Sequence, residues 1–151
     1  MITTTMTAAL PPAHRNRLMR TAREAVFEPG TRLLEEGGPA DRFWIIRSGT
    51  VALDSQVPGQ RAPTIGSLGH EELLGWSWHF PPYRWQLGAQ AVSPVRAWEF
   101  DAATVRAMCA ADAEFGRSIA VWVGSVVACR LQASRKRLLD LNAPRGGEDG
   151  T

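Results

Sequence analysis

The chain has 151 residues, 44% of them hydrophobic and 21% charged. That is enough for one self-sufficient core and too little for two ordinary domains. Its 17 basic and 15 acidic residues leave a net charge of +2, which argues against a broad nucleic-acid surface; any positive patch has to come from clustering.

Residues 1–13 read as a flexible lead-in. Met1–Ala9 is polar and Thr-rich without the apolar run of a secretory leader, and Pro11-Pro12 signals a helix start. No stretch approaches the ~20 apolar residues of a membrane span, so the expectation is a cytoplasmic protein with no membrane partner. His14–Glu24 then predicts a short basic amphipathic helix, with Leu18, Met19 and Ala22 as its narrow apolar stripe.

From Ala25 to Phe100 the texture changes. Short apolar or alternating runs fall at Ala25–Phe27, Arg32–Glu35, Phe43–Arg47, Val51–Asp54, Pro63–Leu68, Glu72–Leu74, Trp85–Val92 and Val95–Phe100. Pro29-Gly30, Gly37-Gly38-Pro39, Ser48-Gly49, Pro58-Gly59 and Pro81-Pro82 punctuate them. Many short strands with frequent turn chemistry predict an antiparallel β jelly roll, two sheets folded over one core.

After Asp101 the period becomes helical. Asp101 and Asp112 are N-cap candidates for helices over Ala102–Ala110 and Ala113–Leu141. Along the second, Phe115, Ile119, Trp122, Val123, Val126, Val127, Leu131, Leu138 and Leu141 form one long apolar stripe, with Arg117, Arg130, Arg135, Lys136 and Arg137 between them. The stripe is longer than one barrel face needs, so helix 113–141 is expected to pair with a second copy or a partner protein. Residues 143–151 are Gly-rich and charged, and read as a disordered tail. The expected domain is therefore 14–142.

Two cysteines, Cys109 and Cys129, lack the spacing of a zinc site or a redox pair and read as buried reduced thiols. His14, His70 and His79 show no HxH pairing, and no Ser/Cys–His–Asp pattern is visible. The expectation is no metal, no catalytic residue and no enzyme.

Phe27–Gly37, with Pro29-Gly30 and Gly37 at its corners, and Ala40–Val51, with Phe43-Trp44-Ile45-Ile46 and Ser48-Gly49, resemble the first half of a cyclic-nucleotide-binding domain. The resemblance is to the effector domain of Crp/Fnr-type regulators and covers roughly residues 14–142. It implies that the cyclic phosphate sits in a cassette after a Leu/Phe-Gly-Glu step, facing backbone N–H groups of a short helix. A glutamate would accept a ribose hydroxyl, and an arginine at the next strand would pair with the phosphate.

The corresponding segment runs from Leu73 to Leu87. Leu74-Gly75 matches, but Trp76 stands in the glutamate position. Counting forward puts the phosphate arginine at Arg84; counting back from Ala91-Val92-Ser93-Pro94-Val95 puts its slot at Trp85. A one-residue shift reverses the facing of a strand side chain, so both alignments stay open. Trp76, Trp78, Phe80, Tyr83 and Trp85 either line an apolar pocket for a different ligand, with Ser77 and Arg84 as polar contacts, or plug it.

Candidate ligand-binding residues are thus Leu74, Gly75, Trp76, Ser77, Trp78, Tyr83, Arg84 and Trp85. The expected function is a non-enzymatic regulatory sensor for a cyclic nucleotide, a related nucleotide-like ligand or another small anion, with no resident cofactor. The alternative is a ligand-free interaction module with a tryptophan-plugged pocket. A helix-turn-helix would need two helices beyond the long one, so direct DNA reading is not expected.

Overall fold

The computed structural model describes residues 10–56 and 64–142. Residues 1–9 of the lead-in and the tail 143–151 lie outside the described residues, as does Pro58-Gly59. Twelve residues into the chain a helix begins: α1 (Pro12–Met19) opens on Pro12, whose fixed φ and missing N–H suit a first helical position. It is shorter than the sequence suggests. Thr21 and Ala22 donate to Leu18 and Met19 and close it off, because Arg23 and Glu24 are already paired with Glu99 and Trp98 as the first rungs of a strand. Ladder hydrogen bonds override the local amphipathic pattern there.

Eight strands follow: β1 (Arg23–Phe27), β2 (Arg32–Leu34), β3 (Arg42–Ser48), β4 (Val51–Asp54), β5 (Thr64–Leu68), β6 (Leu73–Leu74), β7 (Gly88–Ala91) and β8 (Val95–Asp101). They form two antiparallel four-stranded sheets, ordered β1-β8-β3-β6 and β2-β7-β4-β5. Chain-distant strands are neighbours in both, as in a jelly roll. The expected strand over Trp85–Val92 is cut to Gly88–Ala91. Trp85 instead exchanges backbone hydrogen bonds with the Gly37-Gly38 turn, donating to the Gly38 carbonyl (2.9 Å) and accepting from the Gly37 N–H (2.8 Å).

β3 explains the unbroken apolar run from Phe43 to Ile46: all four side chains are buried. Phe43 stacks on Trp78 (4.1 Å between ring centres) and Phe100 (4.7 Å), with Trp122 6.4 Å away. The alternate residues Trp44 and Ile46 fill the opposite side of the sheet.

Two helices end the fold, α2 (Ala102–Ala111) and α3 (Ala113–Leu141). Both begin where a carboxylate caps orphan N–H groups: Asp101 accepts from Thr104 N–H, and Asp112 from Glu114 and Phe115 N–H. Arg17 of α1 donates to Asp112 at 2.6 Å, and His14 lies 2.6 Å from the Ser118 hydroxyl, so α1 is fastened to the start of α3. The apolar stripe of α3 divides in two. Phe115, Ile119, Trp122, Val123 and Val126 are buried, whereas Leu131, Leu138 and Leu141 are 60–74% exposed. Cys109 and Cys129 are half-buried thiols outside any disulfide, and burial raises the Cys109 thiol pKa.

Candidate functional site

The cassette begins where β6 ends. Leu74 pairs with Trp44 across the sheet, and Gly75 turns the chain with φ +91°, a conformation that side chains disfavour. A single 3₁₀ turn, Ser77–His79, follows. The Pro81-Pro82 bond is cis, and Tyr83 holds φ +56°. Isolated bridging of Arg84 with Pro39 then leads into β7.

This path decides which way each side chain points. Trp85 turns inward, 6% exposed, and its ring tilts against Trp44 at 6.5 Å. Arg84 is exposed and donates to the Gly37 carbonyl at 3.3 Å. The forward count therefore ends on an arginine at the outer surface, and the backward count on a buried ring.

Leu74, Gly75, Trp76, Ser77 and Trp85 come together around one small cavity, with Leu34, Leu53 and Leu87. Its volume is only about 20 Å³, room for roughly one water. Three other candidates lie elsewhere. Trp78 is fully buried in the Phe43 stack, and its indole N–H has no partner. Tyr83 packs under the Arg106 guanidinium (4.2 Å), which also donates to the Trp78 carbonyl (2.6 Å). Arg84 faces outward. His79 is half-buried beside Trp78, and burial, then Arg106, lower its pKa from the usual 6.5.

One residue of this site went unremarked in the sequence as a ligand candidate. Arg130 of α3 reaches the cavity and donates to the carbonyl of Leu73 in β6. Burial pulls its pKa down to about 10, with Glu72 acting in the other direction. The signal was positional: Arg130 falls four residues after Val126 on the face that Ile119, Trp122 and Val123 bury. A cation continuing a buried stripe is unusual enough to need a reason.

Residues 24–112 match the cyclic nucleotide-binding domain family. The chain belongs to that family. The curated relatives it matches are transcriptional regulators. A CRP-like cAMP-activated global transcriptional regulator of Mycobacterium tuberculosis is 29% identical over 115 residues, which is 76% of this chain and 50% of that protein. The chain thus spans about half the length of the curated relatives it matches. Among solved structures, a cyclic nucleotide-binding domain from Methylobacillus flagellatus superposes with a TM-score of 0.78 at 17% identity, covering 87% of this chain and 74% of that one. A c-di-GMP-responsive global regulator from Xanthomonas campestris gives 0.74 at 14% identity, covering 89% and 66%. At such identities these two establish the fold alone: a cyclic nucleotide-binding jelly roll with a short N-terminal and a long C-terminal helix.

Among the described residues no three His, Cys, Asp or Glu side chains gather to hold a metal ion. No helix of the described residues is long and apolar enough to cross a membrane.

Proposed function

We propose that this chain is the sensor module of a regulator, in which a small anionic ligand held where the cassette meets α3 alters how that helix pairs with a second copy. The observation that carries this reading is the hydrogen bond from Arg130 to the Leu73 carbonyl. It ties α3 to the strand that opens the cassette, so a displaced cassette pulls on the helix. The Mycobacterium relative is cAMP-activated and the Xanthomonas regulator responds to c-di-GMP; one fold serving different ligands supports a diverged cassette here.

The pairing surface is supported by the exposed side of α3. Val121, Gly124, Ala128, Leu131, Arg135 and Leu138 recur at alternating spacings of three and four, the pattern of a coiled-coil seam, and all are exposed. Nothing lies within 4 Å of where a Gly124 side chain would begin, which leaves room for a second helix to approach closely.

A second reading is favoured by Trp85. Its ring fills the inner seat, as a ligand-free interaction module would require. Calorimetric titration of the full chain with cAMP, cGMP and c-di-GMP, alongside sedimentation equilibrium, separates the two. The sensor reading expects a ligand whose binding shifts the monomer–dimer balance. Binding that leaves this balance unchanged counts against signalling through α3, and dimerisation with no ligand response favours the plugged module.

A further inference from the structure

A recess of about 460 Å³ opens on the first sheet, away from the cassette. Ile45 and Trp98 pair across β3 and β8, and by alternation they share the face on which Phe43 and Phe100 meet the helices. No residue of α3 or of the cassette lines this recess. α3 lies instead over the edge strands of the two sheets, where Arg130 donates to the Leu73 carbonyl of β6 and Arg137 to the Ile65 carbonyl of β5 at 2.5 Å.

Local irregularities converge on the recess. Ile46 pairs with Ala97 and Ser48 with Arg96, so Arg47 is the extra residue of a bulge. A bulge re-aims the side chain it carries. Arg47 is turned over the Trp98 ring, its Cζ 4.4 Å from the ring centre, and onto Glu24 at 2.6 Å. In the turn between β5 and β6, Glu71 holds φ +63°, uncommon outside glycine, and donates its N–H to the Ile46 carbonyl at 2.6 Å. His70 beside it donates from Nδ1 to the Arg47 carbonyl at 2.8 Å. A carbonyl only accepts, so the neutral ring keeps Nε2 as an acceptor. That nitrogen lies 3.7 Å from Glu71 Oε1. Two acceptors side by side suit a pair of neighbouring hydroxyls, each donating one proton.

The cations lie on the strands. β8 carries Arg96 and β3 carries Arg47, next to the turn that carries His70 and Glu71. Arg47 is matched by Glu24, whereas Arg96 is exposed and makes no ion pair among the described residues. Ser48 pairs with Arg96 and places a hydroxyl on the same lining. Ile45, Ile46 and Trp98 supply the apolar part. The recess thus combines a cationic side, paired acceptors and an apolar floor, within the ~300–1,000 Å³ of small-molecule sites.

We propose that this recess is a ligand site separate from the cassette and that it takes a sugar phosphate. The phosphate rests on Arg96 and Arg47, two hydroxyls donate to Glu71 and His70, and the C–H surface of the sugar lies on Ile45 and Trp98. The inference does not depend on the sensor reading, which concerns the cassette.

The test is calorimetric titration of the full chain with glucose 6-phosphate, glucose and inorganic phosphate, on wild type, Arg96→Gln, Arg96→Lys and Glu71→Gln. Glucose 6-phosphate is expected to bind wild type at least about tenfold more tightly than either fragment, the usual worth of a charge-assisted hydrogen bond. Arg96→Gln should remove the advantage over glucose, and Arg96→Lys should keep most of it. Glu71→Gln should shrink the advantage over inorganic phosphate. Near-ultraviolet circular dichroism checks that the variants fold; if one does not, the three probes on wild type, with and without cAMP, decide. Glucose 6-phosphate binding no tighter than inorganic phosphate overturns the inference, as does binding that a folded Arg96→Gln leaves unchanged or that cAMP displaces. Absence of glucose 6-phosphate binding overturns it as well, and leaves the sensor reading to its own titrations.

Discussion

The ring of Trp85 lies so close over Gly75 that a methyl group on Gly75 would sit 2.7 Å from its Cη2 and Cζ3 atoms. Glycine and tryptophan are thus one steric unit. Gly75→Ala meets the ring and also forces a side chain into φ +91°. It should cost about 3 kcal/mol of stability, as overpacking and left-handed strain together suggest. The midpoint of urea denaturation measures it.

Trp85→Ala runs the other way. It empties the inner seat at a cost of about 3–5 kcal/mol, typical of a large aromatic core truncation. If the ring is what excludes a cyclic nucleotide, the variant should bind cAMP more tightly than wild type in calorimetry. Unchanged affinity would show that the missing acceptor at Trp76 sets the limit.

Arg32 and Asp54 form a forked ion pair, with Nη1–Oδ2 at 2.5 Å and Nη2–Oδ1 at 3.1 Å, and Asp54 is buried. Gly88 leaves the room: a Cβ there would collide with both groups. Asp54, helped by Glu35, raises the already high Arg32 pKa further. Arg32→Met strands the buried carboxylate. The expected loss is about 2 kcal/mol, below the 3–5 of a fully buried pair, because a third of the Arg32 side chain remains solvated. Thermal melts of Arg32→Met and Arg32→Lys would check this, the lysine losing less.

Acid dependence should have a separable histidine limb. Burial first, and Arg106 second, hold His79 below its ordinary 6.5. The unfolded chain then takes up a proton at higher pH than the folded one. Stability from this group is complete above 6.5, declines as pH falls through that value, and levels off below the folded pKa. His79→Gln should flatten that limb. A second decline, at carboxylate pH, belongs to Asp112, held low by its hydrogen bond from Arg17, and should persist in His79→Gln. Stability curves against pH for both chains decide it.

The outer face of α3 is the fifth test. Leu131→Asp and Leu138→Lys alter side chains that are 67% and 60% exposed. They should shift sedimentation from dimer to monomer while changing the urea midpoint of the monomer by no more than a surface substitution does. Trp122→Ala, by contrast, opens the core at about 3–5 kcal/mol.

The fold was legible because its signals were local. Turn chemistry at Pro29-Gly30 and Ser48-Gly49 set strand limits, and the two aspartate caps set helix starts. The sequence overstates helix α1 because Arg23 and Glu24 look helical until β8 claims them. The cassette was legible only as a location. Whether Arg84 or Trp85 points inward depends on how the chain pairs with Gly37-Gly38, a long-range choice that no spacing encodes. Arg130 was overlooked for a related reason. On a helix drawn alone it is one cation among several, and its meaning appears only when β5 and β6 come to lie beneath it.

Those arginine links have a mechanical meaning. The first half of α3 is set in the core by Phe115, Ile119, Trp122, Val123 and Val126, while farther along, Arg130 and Arg137 reach across to strand carbonyls on long, bendable stems. A fixed base and adjustable props make a lever. Swinging the segment from Val126 to Leu141 by about 10° carries its tip about 4 Å over a length of roughly 22 Å, yet lifts it only about 1 Å above Arg130. A guest too small to be noticed at the barrel can therefore be felt at the far end of the rod.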